Sequence, residues 1–180
     1  MCIIRVLTRE VIILQFSIGV EYALHSLFYM VDLPQEKAIG VKELAIFQGI
    51  SESYLSKVFT KLRKAGIVRA MPGVNGGYEL ARSSEKITFW DVVEAIEGAS
   101  PIFQCAEIRQ NNILLDKNNL PSSFEKCPCL IKEIMIEAEE QMRQYLAKKS
   151  IAWLNEEAKK EFTEDKKNAI NQWFKKILEK

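Results

Sequence analysis

Apolar positions change period along this chain, and each change marks an element. Residues 17–32 form a strongly apolar run of helix-forming types ended by the Leu33–Pro34 turn, which predicts a buried helix. After a polar link, residues 41–48 read as a short helix stopped by Gly49, a good C-terminal cap. A second helix follows at once, with Ser51 as its N-cap. Its Tyr54, Leu55, Val58, Phe59 and Leu62 recur at spacings of three and four on one face, and Ser53, Lys57, Lys61 and Lys64 fall largely opposite. Two helices joined by a tight glycine turn, the second basic on its outer side, make a helix-turn-helix pattern.

The period then shortens. IVRAM and YELAR are strand-like runs on either side of PGVNGG, whose glycines permit the positive φ angles of tight turns. A helix-turn-helix followed by such a hairpin predicts a winged helix. Thr88 then caps a helix of sequence TFWDVVEAIEG, with Asp91 at its third position and Gly98 at its end; Val92, Val93 and Ile96 are expected to pack under the wing. Residues 99–129 lose periodicity, are broken by Pro101, Pro121 and Pro128, and carry three of the four cysteines. From residue 130 to 149 a long helix resumes, with Ile131, Met135, Ala138, Met142 and Tyr145 in a narrow four-three seam suited to a partner helix. The alternative is that this seam packs within its own subunit. Two further amphipathic helices are expected beyond Ser150, the last holding Ile170, Trp173, Phe174 and Ile177.

The expected fold is therefore mainly α with a small β-wing, a winged helix-turn-helix plus a long dimerisation helix. Its parts are an additional N-terminal segment (1–15), a DNA-binding domain (16–98), a cysteine-bearing sensing loop (99–129), the dimerisation helix (130–149) and a helical extension (150–180).

Composition narrows the function. With 48% hydrophobic and 27% charged residues among 180, the chain has the make-up of a soluble globular protein. Its net charge of +1 hides an asymmetry: residues 41–82 carry seven Lys/Arg against three acids, +4, which leaves −3 for the rest. That local excess suits a phosphate-facing surface, and double-stranded DNA is the expected partner. No transmembrane span is visible, because the apolar residues 1–14 are interrupted by Arg5, Arg9 and Glu10; a cytoplasmic location is the default expectation. No P-loop, G-x-S-x-G elbow or dinucleotide fingerprint occurs, and the one histidine has no nucleophile beside it in sequence, so an enzyme is not expected.

Four fragments in this order, FSIGVEYALHSL, GISESYLSKVFTKLRKAGIV, PGVNGGYELAR and ITFWDVVEAIEG, resemble the winged-helix repressor family of the iron–sulfur regulator IscR, the nitric-oxide sensor NsrR and the cysteine-metabolism repressor CymR (the Rrf-two family). The resemblance runs from Phe16 to about Lys149. It implies a homodimeric DNA-binding repressor with paired winged helices, a crossed dimer helix and a sensing loop between them. On the matching positions, Ser51, Ser53, Tyr54 and Lys57 would approach the major groove of an operator, and Lys61 and Arg63 its phosphates. Where relatives often carry a wing-tip Arg this chain has Pro72, which leaves backbone contacts through Gly73, Asn75, Gly76 and Gly77. Residues 1–14 have no counterpart in the family, and an over-extended translation start is the expectation for them.

Cluster-binding members of that family commonly carry three closely spaced loop cysteines. Here twenty-one residues separate Cys105 from Cys127, and Cys129 follows. A subset of the family typified by the redox sensor RsrR resembles this chain in its VExALH segment and in two widely separated cysteines. That resemblance implies a two-iron, two-sulfur cluster (2Fe-2S) held by Glu21 and His25 of one subunit and by Cys105 and Cys129 of the other, with Cys127 as alternate ligand. The other readings are a weak helix pair for Glu21 and His25, worth about 0.2–0.5 kcal/mol, and loop thiols without a cofactor. The regulator would then answer to thiol oxidation, a small ligand or a partner protein.

Overall fold

The computed structural model describes residues 15–34, 37–73, 76–115 and 129–179. The helix-turn-helix forms where the caps place it. Helix α1 (Ile18–Met30) packs one side against its neighbours, with Ala23, Ser26 and Leu27 wholly buried, and leaves Ile18, Glu21 and His25 exposed. Helix α2 (Val41–Gln48) stops at Gly49, whose φ of 67° is open to a residue without Cβ. Gln48 reaches back to donate from Nε2 to the Ser26 hydroxyl at 2.9 Å, which ties α2 to α1. Helix α3 (Glu52–Lys64) begins at Ser51, whose side chain accepts from the Tyr54 N–H. Leu55, Val58, Phe59 and Leu62 are buried, whereas Tyr54 stays at the surface and meets Tyr22 of α1 edge-on, 5.6 Å between ring centres.

The wing is an antiparallel pair, β1 (Val68–Met71) with β2 (Gly77–Leu80), in register Val68 opposite Leu80 and Met71 opposite Gly77. A third segment joins it: the Ile39 N–H donates to the Tyr78 carbonyl at 3.0 Å, and the Tyr78 N–H to the Ile39 carbonyl at 2.8 Å. A Cβ on Gly77 would stand 2.5 Å from the Ile39 carbonyl, so only glycine admits this approach.

Helix α4 (Phe89–Glu97) has a reciprocal capping box: the Asp91 N–H donates to the Thr88 hydroxyl and the Thr88 N–H to the Asp91 carboxylate. Its Val92, Val93 and Ile96 are buried in one core cluster that also takes in Val68, Tyr78 and Leu80 of the wing, and α4 packs chiefly against α1 and α3. Residues 99–115 follow without regular structure except a short 3-10 turn, Ile108–Asn111.

Three helices close the chain: α5 (Leu130–Ala147), α6 (Ile151–Glu161) and α7 (Glu164–Leu178). The last two return to the core. The Phe89 N–H donates to the Lys149 carbonyl and the Ile151 N–H to the Ile87 carbonyl, both at 2.8 Å, and Ile151 is fully buried. Asn155 donates from Nδ2 to the Phe28 carbonyl at 3.2 Å. In α7, Trp173 and Phe174 pack on Phe47 of α2 with ring centres 4.6 and 5.1 Å away. Helix α5 packs against α4 through Arg143 over the Trp90 ring and meets the core at Leu146, but no residue along it is buried.

Candidate nucleic-acid interface and sensing residues

The outer side of α3 begins at its N-cap, where the Ser51 and Ser53 hydroxyls lie 3.0 Å apart and both residues are exposed. Lys57, one turn further on, is exposed and has no ion-pair partner among the described residues. Arg63 is likewise exposed. Lys61 has a second engagement: its Nζ donates to the Ile96 carbonyl in the last turn of α4 at 2.6 Å. A cation there satisfies an end carbonyl and opposes the negative end of the α4 dipole. Tyr54 is 36% exposed, its ring turned toward α1, so part of its surface is committed to the fold.

At the wing, Gly73 has φ of 118°, and a Cβ on Gly76 would stand 2.5 Å from the Met71 carbonyl. These glycines are required by the turn itself, and backbone is what they present. Asn75 lies outside the described residues. Arg69 on β1 was not singled out by the sequence pattern beyond its contribution to the basic stretch; it is exposed and paired across the strands with Glu79 at 2.6 Å.

Glu21 and His25 lie one turn apart on the exposed side of α1. They line an open groove of about 680 Å³ whose apolar walls include Phe16, Leu24, Phe89 and Leu154. Cys129 is buried at the N-cap position of α5, and Cys105 is half-buried in the irregular segment. Cys127 lies outside the described residues. Both described thiols act electrostatically on Arg109, a residue the sequence did not mark. The Arg109 guanidinium is held above its ordinary value by its hydrogen bond to Glu107, and the same bond holds the Glu107 carboxyl below the usual range. Glu107 is left-handed at φ 47°, the one non-glycine residue with positive φ among those described, and its carboxylate lies 4.0 Å from the Cys105 sulfur.

The structure thus sets Glu21 and His25 one turn apart on α1, and Cys105 and Cys129 both contribute to the electrostatic environment of Arg109. Among the described residues of a single chain, no three His, Cys, Asp or Glu side chains converge as a metal site.

The family model Rrf2, described as an iron-dependent transcriptional regulator, matches residues 16–157. The chain is 36% identical over 100 residues to a Lactococcus lactis protein named as the HTH-type regulator YffB, covering 56% of this chain and 64% of that one. It is 31% identical over 103 residues to the HTH-type transcriptional regulator NsrR of Halalkalibacterium halodurans, covering 57% and 70%. In fold it is similar to CymR, the global cysteine regulator of B. subtilis, with a TM-score of 0.60 at 22% identity over 80% of this chain and 98% of that one.

Proposed function

The chain belongs to the Rrf2 family of transcriptional regulators, and on that premise we propose that it is a homodimeric repressor that reads a two-fold operator and senses redox or iron–sulfur status through a two-iron, two-sulfur cluster. The observation that carries the DNA-binding part is an intact winged helix whose α3 buries one face and leaves Ser53 and Lys57 open on the other. In this reading residues 16–98 bind DNA, 99–129 sense, 130–149 dimerise and 150–180 brace the core. Ser51, Ser53, Tyr54 and Lys57 meet base edges or phosphates in the major groove. Lys61 and Arg63 meet phosphates, and the backbone at Gly73, Asn75, Gly76 and Gly77 meets the adjoining groove. Among the described residues no helix is long and apolar enough to cross a membrane, and the cytoplasm is the proposed location.

The donor set suits such a cluster: two thiols, an imidazole and a carboxylate, with one thiol buried. Glu21 and His25 of one subunit and Cys105 and Cys129 of the partner subunit would hold it, with Cys127 in reserve. When bound, the group supplies reversible one-electron chemistry at the interface. Arg109 would offset negative charge on a bound cluster, and it pairs with Glu107, whose carboxylate lies beside the Cys105 sulfur. The same arginine beside two thiols also favours a second reading, a cofactor-free thiol switch.

Two measurements test this. Binding to the chain's own promoter should weaken steeply with salt, and Lys57→Ala should weaken it further; wild-type affinity for Lys57→Ala would remove α3 from the interface. Protein reconstituted with iron and sulfide without oxygen should be coloured, and Cys105→Ala should be colourless. A colourless wild type would discard the cluster in favour of the thiol switch.

A further inference from the structure

We propose that the groove between the end of α1 and the α6–α7 hairpin is a binding site for an apolar monocarboxylate, a single anionic head on a hydrocarbon tail. It encloses about 670 Å³, inside the range of 300–1,000 Å³ typical of small-molecule sites. Its floor is apolar, built by Phe28, Leu33, Phe162, Ile170 and Leu178. Its rim is cationic: Lys37, Lys159, Lys167 and Lys175 stand against Asp32 and Glu179, four positive charges to two negative.

Not every rim lysine is equally available. Lys159 is held by Asp32 at 2.6 Å and Lys167 by Glu164 at 2.7 Å. Lys175 meets Glu179 only at 3.8 Å. Lys37 donates to the Leu178 carbonyl at 3.3 Å and has no acidic partner among the described residues. Lys37 and Lys175 are therefore the least tightly held ammonium groups among the described rim residues, and both lie near the Leu178 end of the groove. The Asn171 amide also lines it and adds a neutral donor. A fully polar anion would leave the aromatic floor wet, and a neutral oil would leave the net positive charge of the rim without a counter-charge. An apolar acid satisfies both surfaces.

The groove is distinct in chemistry from the one along Glu21 and His25. The two share Phe28, Tyr29 and Phe162 as a common wall, but none of the proposed cluster donors lines this one. One of its walls is α7, which lies beyond the residues matched by the family model. Phe174 of that wall packs on Phe47, so an occupant sits one side chain from α2 of the helix-turn-helix.

The test uses the full-length protein and three probes of equal tail, decanoate, decanol and decylamine, each titrated calorimetrically below its aggregation limit. Decanoate should bind once per protomer, roughly tenfold tighter than decanol, with decylamine weaker again. Lys37→Glu and Lys175→Glu are surface changes that leave the floor intact; each should cut decanoate affinity several-fold and leave decanol unchanged. Equal affinity for the three heads, decanoate binding that ignores both charge reversals, or no decanoate binding by folded wild type would overturn the assignment.

Discussion

Lys57 and Lys61 lie one turn apart on α3, yet their ammonium groups have different neighbours, and the difference is measurable. Lys57 touches no carboxylate among the described residues, so Lys57→Ala should weaken DNA binding and leave the unfolding midpoint in urea unchanged. Lys61 holds the Ile96 carbonyl, and a cation at an exposed helix end contributes about 0.3–1 kcal/mol. Lys61→Ala should therefore lower stability by that amount and also reduce the salt dependence of DNA binding. Unchanged stability would mean that the lysine leaves α4 in solution. Glu139 gives a second prediction at this scale. Burial pushes its carboxyl up, but hydrogen bonds from the Ile102 N–H and from Arg143 outweigh that and leave it below the usual carboxylate range. A group depressed on folding stabilises above its ordinary value, and that contribution fades as pH falls through the lowered one. The Ile102 amide resonance should accordingly shift with a midpoint below that of an ordinary glutamate, and Glu139→Gln should abolish the titration. Of these roles, the sequence marked Lys61 as basic and outward but could not name Ile96 as its partner. Arg109 stayed hidden for the same reason, because no local spacing links it to Cys105 and Cys129.

Elements were legible wherever their signals were local. Ser51, Thr88 and Ser150 cap the helices they precede, and Gly49 ends α2 in the left-handed conformation. The hairpin follows from its glycines. What was not legible is where each element docks. The period of α4 predicted a buried face at Val92, Val93 and Ile96 but not that α1 and α3 would be the main partners of that helix, since period fixes direction and not destination. Helix α7 makes the point more strongly. Its Ile170, Trp173 and Phe174 predicted amphipathicity, but the partners, Tyr29 and Phe47, are more than a hundred residues earlier in the chain. That contact makes α7 part of the core. Phe174 is buried between Tyr29, Phe47 and Trp173, and Phe→Ala in such a site costs about 3–5 kcal/mol. Phe174→Ala should thus destabilise the whole chain in a single cooperative transition. Early melting of α7 alone, with the remaining helices intact, would show it to be an independent appendage.

At the scale of the whole molecule, α5 is the element a single chain cannot satisfy. Ile131 is 66% exposed, Met135 40% and Tyr145 64%, along a helix that buries no residue. The helix is nevertheless well anchored to its own chain. Arg143 stacks 4.8 Å over the Trp90 ring of α4 and pairs with Glu139, so the apolar seam is held out rigidly. An exposed four-three seam fits the proposed pairing with a two-fold copy. The proposed cluster depends on the same pairing, because Glu21 and His25 do not converge with Cys105 and Cys129 within one chain. In the proposed function assembly and cluster binding are coupled, and one variant tests both. Met135→Asp with Met142→Asp places charges in the seam without touching any proposed ligand. Wild type should sediment as a dimer at micromolar concentration and take up about two irons per protomer on anaerobic reconstitution. The double variant should sediment as a folded monomer and remain colourless, although all four donors are still present in every chain. A monomeric variant that still acquires the chromophore would place the cluster ligands within one subunit and refute the crossed arrangement. A variant that stays dimeric would move the interface off α5.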